Sequence, residues 1–135
     1  MPIKYLLDTD IVSFLINNRF PKVREKLQRV PFDSVAISVI TEAELRFGVA
    51  RKPEALGLAF VVEECLAHVE ILPWDSSAAK QYSAVRTAME REGSLLGSMD
   101  MMIAAHALAA GCVLVTHDRG FSRVKALKTT DWTRP

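Results

Sequence analysis

Short apolar runs alternate along this chain with longer stretches in which apolar residues recur every three or four positions. The runs are "IKYLLD" at 3–8, "SVAIS" at 34–38, "VEIL" at 69–72 and "CVLVT" at 112–116. Runs that short, closed by polar residues, read as buried strands. "LKTTDW" fits a last edge strand. The longer stretches predict helices from about Asp10 to Asn17, over "KVREKLQRV" after Pro21, over "VITEAELRFGV", over "PEALGLAFVVEECLAH", over "SSAAKQYSAVRTAMEREG" and over "MDMMIAAHALAAG". Pro53 suits the first turn of the fourth helix, where its missing N–H costs nothing. Gly93 and Gly111 suit helix stops, and Ser98 suits the N-cap of the alanine-rich helix. "GSLLGSM" reads as a loop.

Continuously apolar strands alternating with helices predict an α/β fold with a central, mainly parallel sheet covered on both faces. At 135 residues, with no repeat, low-complexity tract or linker, the chain reads as one domain over 1–135. Half of the residues are hydrophobic and 24% are charged, as in an ordinary folded soluble protein. The formal net charge of +1 neither favours nor excludes a nucleic-acid partner. Cys65 and Cys112 have no metal-type spacing and read as buried thiols in a reducing compartment. The N-terminus lacks a signal-peptide layout. "MMIAAHALAAGCVLV" falls short of the ~20 residues a membrane span needs and is interrupted by His106 and Gly111. A cytoplasmic protein is expected.

Parallel strands end together, and α/β proteins carry their sites at that carboxyl edge. The first strand ends at Asp8, the second at Ser38 and a later one at Thr116, just before Asp118. Two more carboxylates can join them. Asp100 lies in the first turn of the alanine-rich helix, whose neighbours Ile103, Ala104 and Ala107 let the backbone approach the sheet. Glu44 falls beside Ile40 and Phe47 on a helix face expected to turn inward, whereas Glu42 falls near Leu45 and Val49. Crowded carboxylates repel unless a cation lies among them. All-oxygen ligands suit Mg²⁺ or Mn²⁺, and such an ion suits phosphodiester hydrolysis because it activates water and screens charge on phosphate.

Each residue also has a structural reading. Asp10 can cap the first helix. Thr41-x-x-Glu44 matches a capping box. Asp100 gains from the helix dipole, and Asp118 suits a turn. Asp8 has the weakest structural excuse. His68, His106 and His117 are too scattered for a histidine metal site. Met99, Met101 and Met102 read as core filler.

Four stretches together are familiar: "LLDTDIV", "SVITEAELRFGV" with its E-L-x-x-G core, "LLGSMDMMIAAHA" with G-x-x-D-x-x-I-A-x-H-A, and "LVTHDRGFSRV". With the closing "TTDWT", their order along nearly all of the chain resembles PIN domains, and more narrowly VapC-type toxin ribonucleases of bacterial type II toxin–antitoxin pairs. The resemblance implies a three-layer α/β/α fold and a Mg²⁺-dependent endoribonuclease that cleaves structured RNA such as tRNA by metal-activated water. It implies a homodimer, a VapB-like antitoxin that blocks the site, and a larger complex with that antitoxin. The family's acids fall on Asp8, Glu44, Asp100 and Asp118, with Asp8 and Asp100 as the principal metal ligands. The chain has Asp10 where the family often has Asn. Its "GSLLG" loop lacks a common proline, and "THDRGF" is one residue short of a common spacing. Substrate phosphates need cations, for which Arg46, Arg51, Lys52, Arg86, Arg119 and Arg123 are candidates.

Two other classes compete. "LLDTDIV" also matches the D-x-D start of haloacid-dehalogenase-like phosphatases, with Asp8 as nucleophile, although the later lysine motif is not evident. A catalytically dead PIN-like binding module is the other alternative.

Overall fold

The computed structural model describes residues 2–135. The strands are β1 (Tyr5–Leu7), β2 (Val35–Ser38), β3 (Glu70–Leu72), β4 (Val113–Val115) and β5 (Thr129–Thr130). The helices are α1 (Thr9–Asn17), α2 (Pro21–Arg29), α3 (Val39–Ala50), α4 (Leu56–His68), α5 (Ser76–Glu92) and α6 (Ser98–Ala110). Short 3₁₀ turns stand at Phe32–Ser34 and Arg119–Arg123. The strands form one sheet in the order β3-β2-β1-β4-β5, and every pairing is parallel. The expected mainly parallel sheet is thus wholly parallel, with β1 at its centre and "TT" of the closing segment at its edge.

Successive strand residues point to opposite faces, and here both faces are dry. Leu6, Ala36 and Leu114 pack with Val85, Met89, Met101, Ile103, Ala104 and Ala107 under α5 and α6. Leu7, Ile37 and Val115 pack on the other face with Ile11 and Val12 of α1, Val23 of α2, Leu45 of α3 and Val62 and Leu66 of α4. Helices on either side of the sheet give the three-layer α/β/α architecture. Ala104 and Ala107 are completely buried, so the alanines let α6 lie close to the sheet and bring its first turn to the strand ends.

Gly93 and Gly111 end α5 and α6 at φ +67°, the left-handed conformation a glycine adopts without steric cost. Several local expectations are corrected. Pro53 lies in the turn before α4, which starts at Leu56 after an Ala55 cap with no side-chain hydrogen bond. Ser98 is the first helical residue of α6, and the cap is Gly97. Met101 is core, but Met99 is 38% exposed. Phe47 is 61% exposed, because the inward stripe of α3 runs through Thr41 and Leu45. Cys112 is buried, Cys65 is half-buried, and both are free thiols. No helix among the described residues is long and apolar enough to cross a membrane.

Candidate active site at the carboxyl edge of the sheet

Asp8 is the first residue past the central strand. Its backbone N–H donates to the Val115 carbonyl at 3.0 Å, extending the sheet by one bond. Its side chain accepts from the Ile11 N–H at 2.9 Å and caps α1. The cap is therefore Asp8 and not Asp10, and Asp8 has a structural use after all. That use does not account for its burial. Only 4% of Asp8 is exposed. Burial pushes its carboxyl up to about 7, against the pull of hydrogen bonds from the Thr116 hydroxyl and the Ile11 N–H and with the added repulsion of Asp10 and Asp100.

Asp100 stands in the first turn of α6, half-buried. Burial comes first in pushing its carboxyl up to about 6, and the charges of Glu44, Asp118 and Asp10 push it further. The N-terminal helix dipole favours an anion there, yet the like charges outweigh it. These mutual fields place Asp8, Asp10, Glu44, Asp100 and Asp118 in one electrostatic neighbourhood, delivered by β1, α3, α6 and the loop after β4.

Glu44 does not form a capping box. Ser38 caps α3 by accepting from the Ile40 N–H at 3.0 Å. Glu44 instead accepts from the Thr9 hydroxyl at 2.5 Å, and the Thr41 hydroxyl lies 3.2 Å from Thr9. A hydroxyl has one proton. With that of Thr9 on Glu44, the Thr41 hydroxyl donates to Thr9, and two threonines aim one glutamate. Glu42 faces the surface, where it accepts from Arg46 at 2.8 Å. Asp118 caps the 3₁₀ turn at Arg119–Arg123 by accepting from the Gly120 N–H at 2.8 Å. Its own N–H donates to the Thr116 oxygen at 3.0 Å, so Thr116 links Asp8 to Asp118. Asp118 is thus a turn residue and a contributor to the Asp100 field at once.

Thr9, Thr41 and the bonding of Thr116 were not anticipated. The signal available was a threonine between two aspartates, and another one helical turn before Glu44. His106 is engaged inside the fold. It is 4% exposed, its Nδ1 lies 2.7 Å from the Ser38 hydroxyl, and burial lowers its pKa against the influence of Asp75 and the Pro73 carbonyl. It ties β2 to the segment after β3 as a neutral ring.

The donor set is all oxygen, which fits a hard divalent ion. Among the described residues no group of three or more acidic, histidine or cysteine side chains stands ready to hold one. Mg²⁺ does not need such a cage, since it keeps several waters and is commonly held by one or two carboxylates. Asp8 and Asp100, each carrying a raised carboxyl pKa, are the pair that suits it.

The chain matches the PIN domain family model over residues 5–127. The tRNA(fMet)-specific endonuclease VapC of Shigella flexneri is 33% identical over 132 residues, covering 97% of this chain and 99% of that protein. Ribonuclease VapC2 of Haemophilus influenzae is 32% identical over 131 residues, covering 96% and 98%. Among solved structures, DNA-bound VapBC from Salmonella typhimurium superposes with a TM-score of 0.90 at 33% identity, covering 96% of this chain and 98% of that one. VapBC2 of Rickettsia felis, bound to a DNA fragment from its promoter, gives 0.89 at 29%, covering 96% and 99%.

Proposed function

This chain belongs to the PIN-domain family, as a ribonuclease of the VapC kind, and on that premise we propose that it is a Mg²⁺-dependent endoribonuclease toxin acting on structured RNA such as tRNA. The observation that carries the proposal is Asp8, 4% exposed at the carboxyl end of the central strand with Asp10 and Asp100 as like-charged neighbours. A relative named for tRNA(fMet) supports the substrate class.

Asp8 and Asp100 would hold the ion, which would screen phosphate charge and acidify water. Mn²⁺ is the expected substitute. Glu44, aimed by Thr9, takes and passes on a proton from the attacking water. Asp118, whose charge reaches Asp100, would help to orient that water. The site works in the cytoplasm, in a homodimer, and is held in check by a VapB-like antitoxin within a larger complex. The neighbours solved as VapBC assemblies support that partner.

The test is cleavage of tRNA in Mg²⁺ by the wild type, Glu44→Gln and Glu42→Gln. EDTA abolishes cleavage, Glu44→Gln loses it and Glu42→Gln keeps it. Cleavage that survives EDTA removes the metal. An active Glu44→Gln beside an inactive Glu42→Gln puts the site on the wrong helix face.

A further inference from the structure

We propose that the groove between α1 and α3 seats the RNA strand beside the scissile bond, with Arg51 and Lys52 on its neighbouring phosphate. The inference rests on the ribonuclease reading and names the substrate-binding half of that site. The groove encloses about 280 Å³, and its lining includes Thr9, Ser13, Glu44, Gly48, Arg51 and Lys52. It therefore begins at the Thr9–Glu44 pair and leads to two cations at the end of α3.

The acidic cluster repels a phosphodiester, so the affinity for RNA has to come from cations nearby. The candidates divide by whether they are already neutralised. Arg46 pairs with Glu42 and Glu63, and Arg86 with Glu90. On the Asp118 side of the site, His117 and Arg134 both pair with Asp131. Arg51, Lys52, Arg119 and Arg123 have no carboxylate partner among the described residues, Arg123 donating to the Ser94 hydroxyl at 2.8 Å, and of these four it is Arg51 and Lys52 that line the groove with Glu44. Arg51 instead lies over the exposed Phe47 ring at 5.1 Å, which holds the guanidinium without spending its charge.

Gly48 gives an independent sign. It lies inside α3, where glycine weakens a helix relative to alanine. A Cβ there meets nothing within 4 Å, so packing does not call for glycine. Its missing side chain keeps the groove open between Glu44 and the two cations. Half-buried Ser13 lines the same groove, where a hydroxyl suits a ribose 2′-hydroxyl, the group that separates RNA from DNA.

Binding of a short fluorescein-labelled single-stranded RNA is measured across a salt series in an Asp8→Asn parent, which binds without cutting. Arg51→Gln with Lys52→Gln is expected to weaken binding about tenfold at low salt. It should also flatten the slope of log K against log salt by about 0.7, the contribution of the one single-strand phosphate that the two cations neutralise together. Arg46→Gln with Arg86→Gln leaves affinity and slope unchanged. Gly48→Leu melts no lower than its parent but binds RNA more weakly. An unchanged slope in the Arg51/Lys52 variant, an equal loss in the Arg46/Arg86 variant, or parental binding by Gly48→Leu each overturns the groove. So does a loss confined to inhibition by the antitoxin, which reassigns the groove to the protein partner. If the wild type cuts no RNA while these binding results hold, the groove stands and the nuclease reading falls.

Discussion

Asp8 and Asp131 follow strands at the same edge of the same sheet, and their surroundings treat them in opposite ways. Burial pushes both carboxyls up. At Asp131 the Thr133 and His117 contacts reverse that push and bring the pKa to about 2. Its oxygens accept from the Thr133 hydroxyl at 2.6 Å and N–H at 2.9 Å, face His117 at 2.9 Å and accept from Arg134 at 3.2 Å. At Asp8 the hydrogen bonds are too few and the neighbours carry the same sign, so the pKa stands near 7. A half-buried carboxylate completed by its own chain, as Asp131 is, is architecture. One held between like charges, as Asp8 is by Asp10 and Asp100, keeps a raised pKa, and that contrast sets the two carboxylates apart.

The largest effect that can break the comparison is on catalysis. Asp8→Asn keeps an oxygen for the α1 cap, which asparagine serves as well as aspartate. It should nevertheless lose RNA cleavage by more than the roughly 10–100-fold that outer partners of a metal site typically cost. Asp131→Asn should cut RNA at a near-normal rate and instead lose about 1.5–3 kcal/mol of stability, the scale of hydrogen bonds to a charged group. Rates and urea unfolding of the two variants side by side test this, and exchanged phenotypes would dissolve the contrast.

A smaller effect lies in pH. Asp8 binds its proton more tightly folded than unfolded, so its contribution to stability falls as pH rises through the interval from 3.8 to about 7. Asp131 works the other way: its contribution is present above 3.8 and fades as pH falls toward about 2. His106, its pKa lowered by burial, favours the unfolded chain as pH drops below its ordinary 6.5 and opposes the Asp8 trend there. The difference between wild type and Asp8→Asn isolates Asp8. The metal-free variant should melt above the wild type at pH 8 and lose that advantage by pH 5. Equal melting curves at both pH values would deny the raised pKa.

The smallest effect expected is a null one. Asp100→Asn removes one repelling charge and forfeits only about 0.3–1 kcal/mol of dipole stabilisation. Without metal it should melt at or slightly above the wild-type temperature, gain less from added Mg²⁺, and lose most of its cleavage. Mg²⁺ should raise the wild-type melting temperature, because the ion binds the folded site and scarcely binds the unfolded chain. A clear drop for metal-free Asp100→Asn with cleavage intact would return Asp100 to a helix-start role.

The fold was legible because its signals are strong ones. Continuous apolar strands require cover on both faces, and Leu6 and Leu7 do enter two different cores. The edge rule singled out Asp8 and Asp118, and the first turn of the alanine-rich helix added Asp100, whose field includes Asp118. Finer assignments failed where one side chain has several uses. Ser38 caps α3, a role the Thr41-x-x-Glu44 spacing also suggested for Thr41. A helical wheel ranked by apolarity turned Phe47 inward, yet the inward stripe of α3 passes through Thr41 and Leu45, with Glu44 half-buried beside it. Thr9 escaped notice because a hydroxyl between two aspartates carries no periodic signal.

The central claim is that Asp8 is an uncompensated buried carboxylate that a divalent ion completes. Carboxyl ¹³C NMR, titrating Asp8 with and without Mg²⁺, tests it most directly. Metal-free Asp8 should titrate near 7, and saturating Mg²⁺ should drive its pKa below the ordinary aspartate range, because the cation favours the charged form. An Asp8 that titrates near the ordinary 3.8 without metal, and does not respond to Mg²⁺, contradicts the account.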